Sequence, residues 1–218
     1  MIVAAFDISK SATGYAATDG ERWESGVWLC PIKKPFELKA GSINAEYAGR
    51  VGVWLENHIV ALLGEHRPSH AAIEQPLPGS SSRQKLTPEK GGSNWAGQAF
   101  KTETVGGTQF DVTHFLHGLA FGAATICARK NIPCLYVASQ TWRSTTGVGR
   151  PAKGLSYSQR RTWLKNEAKR ICGLRGIPVT GPDQAESCLL AVHLLAVLNP
   201  RLAGHAEDLF RPKSKRTP

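Results

Sequence analysis

Two short apolar runs, each ending on an acid, constrain this chain most. Ile2 to Phe6 is continuous hydrocarbon and meets Asp7 at once; Ala71 to Ile73 is followed directly by Glu74. A short apolar run without alternation reads as a strand buried on both faces. A carboxylate at the end of such a strand is costly unless it is paired or used. The repeated strand–acid unit therefore calls for a sheet covered on both faces, with its acids gathered at one edge.

The rest of the pattern supplies the cover. Thr13 to Ala17 and Gly26 to Cys30 read as two further strands, separated by the turn signal Asp19-Gly20. A helix is expected from about Asn44 to His66, because Ala48, Val51, Leu55, Ile59 and Leu62 recur at helical spacing. Further helices are expected over Phe110 to Lys130, Ser158 to Cys172 and Pro182 to Leu198, with a strand at Cys134 to Val137. Leu77 to Thr108 has no clear period and reads as a long loop or partly ordered insertion; Thr145 to Gly154 reads as a polar, Gly-rich loop. The order is three strands, helix, strand, helix, strand, helix, helix. A meander followed by strand–helix alternation predicts a mixed five-stranded α/β sheet with helices on its faces, the element order of the RNase H-like superfamily. Residues 1–210 are expected to form one domain with an insertion at about 77–108, followed by a basic tail over 211–218.

Asp183 and Glu186 stand three apart at the start of the last helix, hence on one face. If the first and fourth strands are neighbours, Asp7 and Glu74 lie side by side, and the last helix can bring the other two acids against them. Four packed carboxylates repel one another, and desolvation raises their pKa values further. Divalent cations offset that cost, and hard oxygen donors favour Mg2+ or Mn2+. Two such ions activate water and stabilise the leaving oxygen in phosphodiester cleavage, which would leave 5′-phosphate and 3′-hydroxyl ends. Asp183 and Glu186 alone would be ordinary, since acids favour a helix N-terminus; the reading rests on all four.

Lys and Arg outnumber Asp and Glu by 27 to 17, a net charge of +10, which favours a polyanionic partner. The excess is concentrated: Arg143, Arg150, Lys153, Arg160, Arg161, Lys165, Lys169, Arg170 and Arg175 face the single acid Glu167. This is either a solvated helix face or a phosphate-contacting surface. Arg83 and Lys85 in the insertion, interleaved with Trp95 and Phe100, add a second candidate contact with nucleic acid. No apolar run approaches a membrane span, and the opening residues lack the basic start of a signal peptide. The five cysteines are scattered and form no CxxC pair, which fits reduced thiols in a cytoplasmic protein with no zinc site among them. His114 and His117 share a helix face, but no acid or cysteine completes a ligand set, so a packing or polar-face role is preferred. Trp142 and Trp163 read as core residues rather than DNA contacts.

At the acidic residues the sequence resembles the RuvC family of Holliday-junction resolvases. Phe6-Asp7-Ile8-Ser9-Lys10-Ser11-Ala12-Thr13-Gly14-Tyr15 is similar to that family's opening strand, first catalytic aspartate and second strand. Ala72-Ile73-Glu74-Gln75 resembles its second acidic motif. Thr146-Gly147-Val148-Gly149-Arg150-Pro151-Ala152-Lys153 resembles its Gly-rich, lysine-bearing segment near DNA, and Asp183-Gln184-Ala185-Glu186 its terminal helix. The resemblance implies a homodimeric nuclease using Mg2+ or Mn2+, with two ions per site held by Asp7, Glu74, Asp183 and Glu186. It would place paired nicks in a four-way junction, and the expected DNA contacts are Arg83, Lys85, Arg143, Arg150, Lys153, Arg160 and Arg161. Three features depart from the pattern: Glu186 where aspartate is usual, Ile-Ser-Lys after Asp7, and the long 76–109 segment. They resemble a phage or prophage version with relaxed substrate choice.

Other protein classes share parts of this pattern. An actin-like or sugar-kinase-type ATPase also opens on an acidic strand and a hairpin, but the chain is short for two such lobes, has no further phosphate-binding loop, and no nucleotide cofactor is expected. A catalytically silent nucleic-acid binder would not need all four acids. A flap, fork or RNase H-type nuclease differs only in substrate.

Overall fold

In a computed structural model of the chain, residues 1–36, 43–76, 83–94, 97–105 and 110–200 are described. The opening meander is β1 (Val3–Ile8), β2 (Ala12–Thr18) and β3 (Trp23–Leu29), followed by α1 (Ala45–His66) and β4 (His70–Glu74). The ribbon β5 (Arg83–Asn94) and β6 (Gly97–Val105) comes next. Then follow α2 (Phe110–Arg129), β7 (Cys134–Val137), α3 (Ser139–Thr146), α4 (Tyr157–Leu174) and α5 (Pro182–Leu198). The main sheet runs in the order β3-β2-β1-β4-β7. β1 pairs antiparallel with β2 and parallel with β4, and β4 pairs parallel with β7.

β1 is central and buried on both sides, so alternate residues feed two cores. Ala4 and Phe6 pack with Val51, Leu55 and Ile59 of α1 and with Leu119, Ala123 and Cys127 of α2. Val3 and Ala5 pack on the opposite face with Leu189, Leu190 and Leu194 of α5 and Ala168 and Cys172 of α4. Each fully buried aliphatic side chain contributes roughly 1.5–3 kcal/mol. The strands at the centre are lined with alanine (Ala4, Ala5, Ala16, Ala17, Ala71 and Ala72 are all buried), which leaves room for bulky helix residues on both sides.

Local signals set the helix ends. The Asn44 side chain accepts from the Tyr47 backbone N–H at 2.8 Å and starts α1. Ser156 and Gln159 close a reciprocal capping box on α4. Pro182 occupies the first turn of α5.

The expected strand and helix order is present, with two additions. Ser139 to Thr146 is a helix whose last two residues, Thr145 and Thr146, are the expected start of the Gly-rich loop, and Gly147, at φ 85°, is its left-handed cap. One large apolar residue, Trp142, anchors this two-turn helix, too little to make a periodic pattern. Within the segment read as a loop insertion, β5 and β6 form an antiparallel ribbon. Its pairing is irregular between Pro88 and Ser93, around Gly91-Gly92, and such breaks hide strand alternation in a sequence. The expected tail, 211–218, lies outside the described residues.

Candidate active site

The parallel pairing of β1 with β4 sets Phe6 beside Ile73, so the next residues, Asp7 and Glu74, follow side by side at the ends of their strands. On the other flank Asp7 is paired with Gly14 of β2. Gly14 is where α5 comes down onto the sheet. A Cβ built at Gly14 would lie 2.2 Å from the Asp183 carbonyl oxygen. Only a residue without a side chain lets the head of α5 approach this closely, and that approach brings the helix acids to the strand acids. Carboxylate oxygens of Asp7, Asp183 and Glu186 lie within 4.8 Å of one another.

Glu74 borders this trio and is held by a different set of partners. The Ser139 hydroxyl donates to Glu74 Oε1, and Trp142 Nε1 donates to Glu74 Oε2 at 3.2 Å. Both donors come from α3, which connects β7 to the site. The Arg143 guanidinium, 4.9 Å above the Trp142 ring, donates through Nη2 to Glu186 Oε1 at 2.9 Å. From α4, Lys165 Nζ donates to Asp183 Oδ1 and lies 4.0 Å from Glu186 Oε2. Glu186 itself is only 5% exposed.

The electrostatics follow from this packing. Burial holds the Asp7 carboxyl well above its ordinary pKa; repulsion from Glu74, Glu186 and Asp183 adds to it, and Lys165 opposes it. Burial also raises Glu74, partly countered by the hydrogen bond from Ser139. Four acids thus face two built-in cations, Arg143 on Glu186 and Lys165 on Asp183, while Asp7 and Glu74 have no hydrogen-bonded cation among the described residues. An all-carboxylate donor set with surplus negative charge fits a hard divalent ion. Asp7, Asp183 and Glu186 offer ligand oxygens at one point, with Glu74 adjacent.

All four acids named from the sequence therefore come together. Arg143 lies inside the cluster, half-buried against Glu186, while Arg150, Lys153, Arg160 and Arg161 are exposed on the 147–156 segment and the start of α4. Arg160 Nε also donates to the Leu155 carbonyl at 2.9 Å. Arg83 and Lys85 fall in β5, and their side chains lie outside the described residues. Lys169, Arg170 and Arg175 make structural contacts with Thr180, Glu167 and Thr146. Sequence reasoning missed Ser139 and the site role of Trp142, because α3 carries no apolar period. It placed Lys165 in the basic surface without seeing that α4 turns this residue toward Asp183.

The five-stranded mixed sheet and its flanking helices, with acids at the ends of β1 and β4 and the head of α5, form an RNase H-like α/β fold. Among solved structures, Thermus thermophilus RuvC in complex with a Holliday junction substrate matches with a TM-score of 0.52 at 14% identity, covering 93% of this chain and 96% of that one. A second structure of Thermus thermophilus RuvC matches at 0.49 and 16% identity, covering 93% and 96%. The yeast mitochondrial Holliday junction resolvase Ydc2 matches at 0.44 and 13% identity, covering 95% of this chain and 84% of that one. The first of these likenesses carries the fold. No protein-family model and no curated protein sequence matches the chain. No helix among the described residues is long and apolar enough to cross a membrane.

Proposed function

We propose that this protein is a metal-dependent endonuclease that resolves four-way DNA junctions or closely related branched DNA by paired nicks. The observation that carries the reading is the convergence of Asp7, Asp183 and Glu186 within 4.8 Å, beside Glu74, at one end of an RNase H-like sheet. Support comes also from the solved structure whose fold the chain shares, Thermus thermophilus RuvC in complex with a Holliday junction substrate.

Asp7, Asp183 and Glu186, with Glu74 adjacent, would hold two Mg2+ or Mn2+ ions. When bound, these supply activation of water and stabilisation of the leaving oxygen in phosphodiester hydrolysis. The chain's own groups do the positioning. Ser139 and Trp142 fix both oxygens of Glu74, so this carboxylate cannot rotate. Arg143 and Lys165 orient Glu186 and Asp183 and lower the repulsion between acids before DNA arrives. Their positive charge also suits the scissile phosphate. Exposed Arg150, Lys153, Arg160 and Arg161 lie on the segment and helix next to this site, where phosphates flanking the cut would be neutralised. Two such sites in a symmetric dimer would cut two strands of a symmetric junction.

The test is a metal-dependent cleavage assay on four-way junction, fork, flap, linear duplex and RNA–DNA hybrid, with Asp7→Asn as the control. Symmetric nicks in the junction that disappear in the variant are expected. Cleavage that persists in Asp7→Asn, or a folded protein that cuts none of the panel in Mg2+ or Mn2+, refutes the reading.

A further inference from the structure

A second convergence of ligating side chains lies at the opposite end of the sheet. Glu24 on β3 and Glu65 and His66 in the last turn of α1 bring a carboxylate oxygen each and a ring nitrogen within 4.8 Å of one another. Glu24 is paired with Ala17, three residues along β2 from Gly14, and Ala17 belongs to the core beneath α1 rather than to the α5 face. The cluster therefore sits away from the acids of the candidate active site, on the other side of the sheet.

Three features point to a cation here. First, His66 Nε2 is at ion-pair distance from Glu24 Oε2, 2.9 Å, yet this nitrogen is itself out of reach of solvent and the alignment makes no hydrogen bond, although the side chain is 19% exposed. Two ligand atoms each about 2.1 Å from one ion stand about 3.0–3.4 Å apart at right and tetrahedral angles, so this spacing is close to the edge of a coordination shell. Second, Glu65 is an acid in the last turn of a helix, where the macrodipole disfavours negative charge and favours a cation. It faces a second acid there, and the nearby Arg22 is turned to Asp19 instead. Third, Glu24 and His66 line a surface cavity of about 350 Å3, shared with Ile2, Ala17, Thr18, Trp23 and the Asp19–Arg22 ion pair, with room for water to complete the shell.

We infer that Glu24, Glu65 and His66 form a second metal site, for a divalent transition ion and zinc in the first place, that ties the C-terminal end of α1 to β3. One imidazole and two carboxylates are a mixed nitrogen–oxygen set, which suits zinc better than magnesium. The helix is already closed at this point by Arg67 in the left-handed region, φ 45°, whose N–H donates to the Leu63 carbonyl. The ligands are thus presented from a fixed turn.

The experiment is a zinc titration of the full chain in excess Mg2+, which competes at the all-carboxylate site, followed by calorimetry and by imidazole 15N NMR. Wild type is expected to bind one zinc equivalent that shifts the His66 ring nitrogens. His66→Gln should lose that equivalent, and Glu65→Gln should bind it more weakly. Glu65 is exposed, so this second variant keeps the fold and the comparison stands even if His66→Gln is unstable. Unshifted His66 nitrogens, or the same zinc stoichiometry and affinity in Glu65→Gln as in wild type, would overturn the assignment.

Discussion

At the scale of single residues, the acidic cluster is held together against its own charge. Asp7 is the clearest case, because burial comes first among the causes that raise its pKa and three neighbouring acids add to it. A carboxyl whose folded-state pKa is raised stabilises the fold fully below its unfolded value, about 4. That contribution is lost as pH rises through the folded-state value. In a chelating buffer the melting temperature should therefore fall as pH is raised above about 4, over the part of the curve owed to this site, and Asp7→Asn should flatten that slope. The same variant should melt higher than wild type in chelator, since one of four repelling charges is gone, while losing most of the rise in melting temperature that Mg2+ gives wild type. A variant that melts lower than wild type, with its Mg2+ response intact, would place Asp7 outside the ion site. Lys153 belongs to the exposed set: Lys153→Ala should weaken DNA binding and reduce the slope of log K against log salt by about 1. Fluorescence anisotropy across a salt series measures this, and an unchanged slope would remove Lys153 from the interface.

At the scale of elements, the site is built where β1, β4 and the head of α5 meet, with α3 and α4 bracing it. Gly14→Ala inserts a methyl group against the Asp183 carbonyl. It should destabilise the protein by about 1–3 kcal/mol, as overpacking does. Because the methyl pushes the helix away from β1, cleavage should drop by more than stability explains; denaturant melts beside rates at saturating metal separate the two. These elements differed in how legible they were. The apolar runs ending at Asp7 and Glu74, the stripe of α1 and the limits of α5 could be read directly, because burial wrote them as uninterrupted or periodic hydrocarbon. α3 could not, since Trp142 is its only large apolar residue and its other role, a hydrogen bond to Glu74, is tertiary. The ribbon β5–β6 was hidden by Pro88 and the Gly91-Gly92 step. All four site acids could be taken as converging from residue spacing once β1 and β4 were assumed adjacent. The division of labour among Arg143, Lys165 and the exposed basic residues could not, because a one-dimensional run of positive charge does not say which members turn inward.

At the scale of the molecule, the sheet separates two cores, and the acids collect at the edge between them. Two copies are expected to act together on a branched substrate, so the sedimenting complex should have the mass of the junction DNA plus about twice the 23.6 kDa chain mass. A single chain per junction, still cutting both strands symmetrically, would exclude that arrangement. The contact of Gly14 with the Asp183 backbone has a consequence at this scale. The distance between the strand acids and the helix acids is set by main chain resting on main chain, with no side chain between them as a spacer. Side chains elsewhere in the two cores can be exchanged, and the layers can breathe by fractions of an ångström, without that reference distance changing. The gauge of the site is thus carried by one glycine, Gly14.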